Sequence, residues 1–220
     1  MTATAGLPLA DTSDMLAVHA VFRNAFNDVP NLIAPVGDAD DARVAVVVDY
    51  YGTVLELLRH HHNGEDELMT PRLLARIPEQ ADAIARIANQ HTDVHDGLGE
   101  AEDSLVTWRG APTAATRERV VTAVAALESV VVPHLDQEEH EILPLAASCI
   151  NAAEWGELPA HAMKSYAGDK PWLVLGLVAE QMKPEHRATM EEHMPPPLHE
   201  FWLGPGKTLF ADFMATLRNP

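Results

Sequence analysis

Two stretches of this chain set the same metal-ligating side chains at the same spacing. Residues 61–71 read HHNGEDELMTP and residues 134–144 read HLDQEEHEILP. In each, a His is followed by a Glu four residues later and a Pro six residues after that: His61, Glu65 and Pro71, then His134, Glu138 and Pro144. Four residues is just over one helical turn, so each His shares a helix face with its Glu. Imidazole and carboxylate pairs facing one another inside a helical bundle are a recurrent framework for a two-metal site. The chemistry on offer is coordination of a metal pair by nitrogen and oxygen.

Side chains so placed need long helices to hold them. The chain reads as mostly helical, rich in Ala, Leu, Glu and Arg and poor in strand-like alternation. A first helix is predicted to start after Asp11 or Thr12 and run toward Pro30. A second starts near Asp40, behind the cap signal Gly37-Asp38, and ends near Pro71. A third runs from about Pro78 to Trp108, closed by Arg109-Gly110. A fourth runs from about Thr113 to Leu143, ahead of Pro144, and Pro133 is expected to kink or break it. Short links between long helices favour an antiparallel four-helix bundle. The halves repeat: His19 precedes His61, and His91 precedes His134, by nearly the same interval.

The inward-facing polar candidates are His19, His61, Glu65, His91, His95, His134 and Glu138. His91 and His95 are again four apart. Buried imidazoles and carboxylates are costly unless paired or bound to metal, which makes this set hard to explain as packing. Imidazole with carboxylate suits iron, manganese or zinc, and no thiolate accompanies them. Two carboxylates can each bridge two cations. A one-residue slip, pairing His62 with Asp66, is the alternative register; the repeated proline favours His61 with Glu65. His60 and His62 otherwise flank His61 as outer residues. Asp66, Glu67, Asp136, Glu139, His140 and Glu141 are assigned to solvated faces, from which one or two can hydrogen-bond the outer nitrogen of a ligand His.

The ordered set resembles the hemerythrin-like, or HHE cation-binding, family over roughly residues 12–147. That family's pattern is a His on the first helix, His-x-x-x-Glu on the second, His-x-x-x-His on the third, and a His followed by a carboxylate on the fourth. The resemblance implies a four-helix bundle holding two non-haem iron ions joined by an oxo or hydroxo bridge. One iron would take His91, His95 and His134, the other His19 and His61, with Glu65 and Glu138 bridging. Blood-pigment members place the last carboxylate five residues after its His. That spacing would select Glu139; the internal repeat selects Glu138. The two-His iron would keep an open position for dioxygen, peroxide or nitric oxide. The implied function is binding or processing of such species. The alternative is an iron or redox sensor, or iron-handling protein, whose metal occupancy controls partner binding. No residue is assigned as catalytic.

The 220 residues carry a formal charge of −18, which argues against nucleic acid or an anionic membrane as partner. The one cysteine, Cys149, excludes an intramolecular disulfide, and no apolar run reaches membrane-spanning length. The first residues lack a basic start and an apolar stretch of signal-peptide length. These features describe a soluble cytoplasmic protein. Beyond residue 147 the composition shifts toward Pro, Gly, Trp and Met. Residues 148–220 are expected to form an extension of short helices packed on the bundle, including a buried helix over 171–182 and an amphipathic one over 206–218. The histidines there (His161, His186, His193 and His199) share no common helical spacing.

Overall fold

The computed structural model describes residues 8–165 and 170–219; the reading of residues 1–7 as lacking a leader lies outside them. Among the described residues the chain is helical, and the only extended pairing is a single bridge between Leu9 and Asn151. Helix α1 spans Ser13–Asn27, and a short turn of helix over Val29–Leu32 follows it around Pro30. Its buried residues Met15, His19, Phe22 and Phe26 recur at intervals of three and four, the stripe of a half-buried helix.

Helix α2 begins at Asp41, where the Asp40 side chain accepts from the Arg43 amide at 3.1 Å, a standard N-cap. It was expected to stop at Pro71. Instead it runs as α-helix to Gly64, widens into a π turn over Glu65–Met69, and resumes over Thr70–Arg76. Helix α3 spans Ala81–Gly110 after a tight turn over Pro78–Gln80. Helix α4 opens on a capping box between Thr113 and Thr116 and runs from Ala114 to Gln137, unbroken at Pro133. It then repeats the behaviour of α2, with a π turn over Glu138–Ile142 and a final segment over Leu143–Cys149.

The two π turns have one cause. In each, the amide just before the proline bonds the Glu carbonyl five residues back: Thr70 to Glu65 and Leu143 to Glu138. A proline ring crowds the carbonyl four residues behind it and offers no N–H. Widening one turn accommodates the ring without ending the helix. Such bulges occur often at functional sites, and both of these begin at a candidate metal-binding Glu.

The buried apolar side chains form two main clusters. One runs from Val21, Tyr51, Leu58 and Val94 to Val131 and Leu135. The other holds Met15, Met69, Leu73, Ile87 and Ile142. On every long helix the gap between the clusters is filled by His or Glu: His19, then His61 to Glu65, then His91, then His134 to Glu138. A polar layer thus crosses an otherwise apolar interior.

The extension shares both clusters. Trp155, from a turn over Ala152–Trp155, and Leu158, from α5 (Glu157–Ser165), join the second. Leu173 and Leu177 of α6 (Pro171–Gln181) and Met214 and Leu217 of α8 (Lys207–Arg218) join the first. Between them, α7 (Pro184–His193) buries no residue. Arg43 of α2 donates to the carbonyls of Thr216 and Leu217 at 3.0 and 2.7 Å, tying the end of α8 to the start of α2. No described helix is long and apolar enough to cross a membrane.

Candidate metal centre

Two overlapping groups of buried donors occupy the polar layer. His62, Glu65, His91 and His134 form one; His19, His61, Glu65 and Glu138 form the other. Within each group one ligand atom per residue lies within 4.8 Å of all the others. Glu65 belongs to both, because of where it sits on α2. At about 100° per residue it projects roughly 40° from His61 and roughly 60° from His62, on opposite sides, so its carboxylate falls between the two imidazoles. Its two oxygens divide accordingly: Oε1 is 3.1 Å from His61 Nε2, and Oε2 is 3.5 Å from His91 Nε2. Glu138 Oε2 stands 3.4 Å from His19 Nε2 and 3.9 Å from His134 Nε2.

All seven residues are buried, none more than 7 % exposed. Both ring nitrogens of His62, both oxygens of Glu65 and Glu138, and Nε2 of His134 are buried with no hydrogen-bond partner among the described residues. His19 Nε2 and His61 Nε2 face each other at 3.2 Å. Leaving so many polar atoms unmade would cost free energy at each one. Cations among them would satisfy the whole set, and the donors are all nitrogen or carboxylate oxygen. Each of the two groups could therefore hold a metal ion.

The electrostatics agree with that fit. Burial, then the neighbouring imidazoles, holds His61 and His62 well below the usual histidine range, in the neutral form a metal requires. Burial also takes His134 down to about 4. Glu65 is pushed well above the usual carboxylate range by burial and then by the charge of Glu138. Burial acts on Glu138 in the same sense but is outweighed by His19, His61 and His134, so its pKa falls to about 2.

Outer contacts fix the rings. His19 Nδ1 bonds Glu139 Oε1 at 2.8 Å, and Arg23 holds that same oxygen at 2.7 Å. His91 Nδ1 bonds Asp66 Oδ1 at 2.8 Å, and His134 Nδ1 bonds Gln90 Oε1 at 3.0 Å. Glu139 and Asp66 each follow their inner Glu by one residue. Each reaches a His carried by the other half of the repeat. A carboxylate on the outer nitrogen orients a ligand His and raises its basicity. Asp66→Ala and Glu139→Ala are each expected to weaken metal binding by about 10–100-fold while leaving the fold intact. Competition with a calibrated chelator measures this, and unchanged affinity in both variants would remove the orienting role.

Of the candidates read from the sequence, the structure gathers His19, His61, Glu65, His91, His134 and Glu138. It leaves His95 apart. That residue lies one turn, about 6 Å, beyond His91 along α3; it is half-buried, and its pKa is lowered by burial and by the charge of Arg59. His62, assigned from sequence to the outer residues, stands with His91 and His134 instead. The signal for it was present in the run His60-His61-His62, since a residue three before Glu65 faces it from the side opposite His61. Glu139 lies in the outer position, with Glu138 inside. Gln90 had no sequence signal beyond its place beside His91.

No curated protein and no solved structure matches the chain. The sequence model of the hemerythrin HHE cation-binding domain matches residues 11–146, the segment that supplies all seven inner residues, and the chain belongs to that family.

Proposed function

We propose that this protein holds two non-haem iron ions and binds or processes dioxygen or a reactive oxygen or nitrogen species, with O₂, peroxide and NO as its ligands. The observation that carries the reading is the pair of four-donor groups sharing Glu65. One ion would take His62, His91 and His134, the other His19, His61 and Glu138, with Glu65 between them. Iron so held supplies one-electron redox steps and an exchangeable coordination position for a small ligand. The chain's own part is to keep His61, His62 and His134 neutral, to orient the rings of His19, His91 and His134 through their outer hydrogen bonds, to offset the positive charge with two buried carboxylates, and to exclude bulk water.

We read residues 12–147 as an antiparallel four-helix bundle and residues 148–220 as an extension. In support, Asp66 of α2 meets His91 of α3, whereas Arg59, earlier on α2, pairs with Glu102, later on α3. The acidic charge and the single cysteine favour a soluble protein of the cytoplasm, without nucleic-acid or membrane partners.

The test is metal content per chain with the visible spectrum, in air and after anaerobic reduction. About two irons per chain are expected, with charge-transfer bands that vanish on reduction and return with O₂ or peroxide. After reconstitution with ferrous iron, a single tightly held ion per chain, or a spectrum indifferent to reduction, would overturn the reading.

A further inference from the structure

A cavity of about 80 Å³ lies on the His61 side of the polar layer. Val18, Leu57 and His61 form its inner wall; Trp155, Leu158 and Ala162 form its outer wall. The inner wall belongs to α1 and α2 and the outer wall wholly to the extension, so the cavity exists only because the extension is docked. The lining is apolar apart from Asp14, His60 and His61.

The outer wall is fastened to the helices that carry the site. Trp155 Nε1 donates to Asp14 at 2.9 Å, Arg72 pairs with Glu157, and Arg76 pairs with Glu154. His161 reaches Glu67, inside the first π turn, at 2.9 Å. The extension is therefore tied to α1, to the π turn and to the segment after it.

Size decides what such a space admits. An apolar cavity of about 150 Å³ accepts benzene or xenon. One of about half that volume, partly open to solvent, seats a single uncharged molecule of a few atoms against His61 and leaves no room there for a branched organic one. We propose that this cavity is the antechamber through which the small ligand reaches the His19–His61 side of the centre, and that the extension sets its size limit. This rests on the functional reading above and narrows its substrate class to O₂, NO or hydrogen peroxide, with organic hydroperoxides excluded.

Xenon reports the cavity without reference to metal chemistry. Crystals pressurised with xenon, metal-loaded and metal-free, are expected to show one xenon atom among Val18, Leu57 and Leu158. Ala162→Phe, which fills the space from α5, should abolish that site. In the iron-loaded protein the same variant should slow NO association at least tenfold while the resting spectrum stays that of the parent. Leu158→Ala should enlarge the cavity and raise the rate with tert-butyl hydroperoxide relative to hydrogen peroxide. Absence of xenon from the parent, or NO association in Ala162→Phe at the parent rate, overturns the proposal. Xenon in the cavity of an iron-loaded parent that takes up neither NO nor O₂ overturns the functional reading, and the antechamber with it.

Discussion

Replacing His62 with Leu is expected to cost the protein one of the two metal ions proposed for it and to make the metal-free protein more stable. The two effects have one origin. His62 is completely buried, and neither ring nitrogen has a partner among the described residues. In the absence of metal each unmade bond is a penalty of about 1–3 kcal/mol, and an apolar side chain of similar bulk removes it. With metal present, one of those nitrogens completes the group formed with Glu65, His91 and His134. Its loss leaves that ion three donors, while the His19–His61 group keeps all of its own. After dialysis against a competing chelator, His62→Leu should retain about one ion per chain against about two for the parent. Its metal-free form should be more stable toward denaturant, by about 2 kcal/mol or more. His95→Ala is the control, since a half-buried residue outside both groups should change metal content not at all and stability by no more than about 0.5 kcal/mol. If His95→Ala loses an ion and His62→Leu keeps both, the resemblance has the ligand set right and the geometry described here has it wrong.

That contrast shows where sequence reasoning stopped short. The family, the helical architecture and six of the seven inner residues were legible, because helical spacing alone brings His61 to Glu65 and His134 to Glu138. The choice between His62 and His95 was not legible from periodicity. It depends on the relative heights of α2 and α3, and those heights follow from packing along the whole helices. Beyond His91 the inward face of α3 carries Val94, Leu98 and Leu105, which fill the apolar cluster, so the polar layer ends there and His95 lies outside it. The prolines misled for a related reason. A proline in a helical pattern ordinarily marks an end. Here the turn before each one widens, and both helices continue, because Leu73 and Ala146 beyond them have an apolar cluster to fill. The tail's helices were legible as segments. Their use of the same core as the bundle was not, since it is a matter of docking.

The second large effect is on pH dependence, where removing the metal should reverse the slope of stability above neutrality. Below the ordinary histidine value of 6.5, three groups dominate the metal-free protein: His61, His62 and His134, all depressed by burial. The unfolded chain takes up protons that the folded chain refuses, so stability falls as pH falls. Above 6.5 these rings are neutral in both states and drop out. What remains is Glu65, raised by burial and by Glu138, and His19, raised because Glu138 and Glu139 outweigh the effect of its burial. Both bind their protons more tightly in the folded state than in the unfolded chain, so stability is lost as pH rises through their folded values. Each such proton contributes a slope of about 1.4 kcal/mol per pH unit at most. The metal-free protein should therefore be most stable near the ordinary histidine value and weaken on both sides of it. Metal changes the alkaline side, because an ion held between Glu65 and the imidazoles requires the carboxylate ionised and the ring nitrogens free of protons. The loaded protein has no proton left to lose there, and its stability should stay level or rise. Urea unfolding of loaded and chelated protein between about pH 7 and 8.5 reads the difference directly. Glu65→Gln isolates the carboxylate: it should flatten the Glu65 share of the alkaline limb in the metal-free protein and, as the donor common to both groups, abolish loading of both ions. A metal-free parent whose stability varies with pH through this range no differently from that of Glu65→Gln would mean that Glu65 is ionised without metal. The buried carboxylate pair would then need some other source of positive charge.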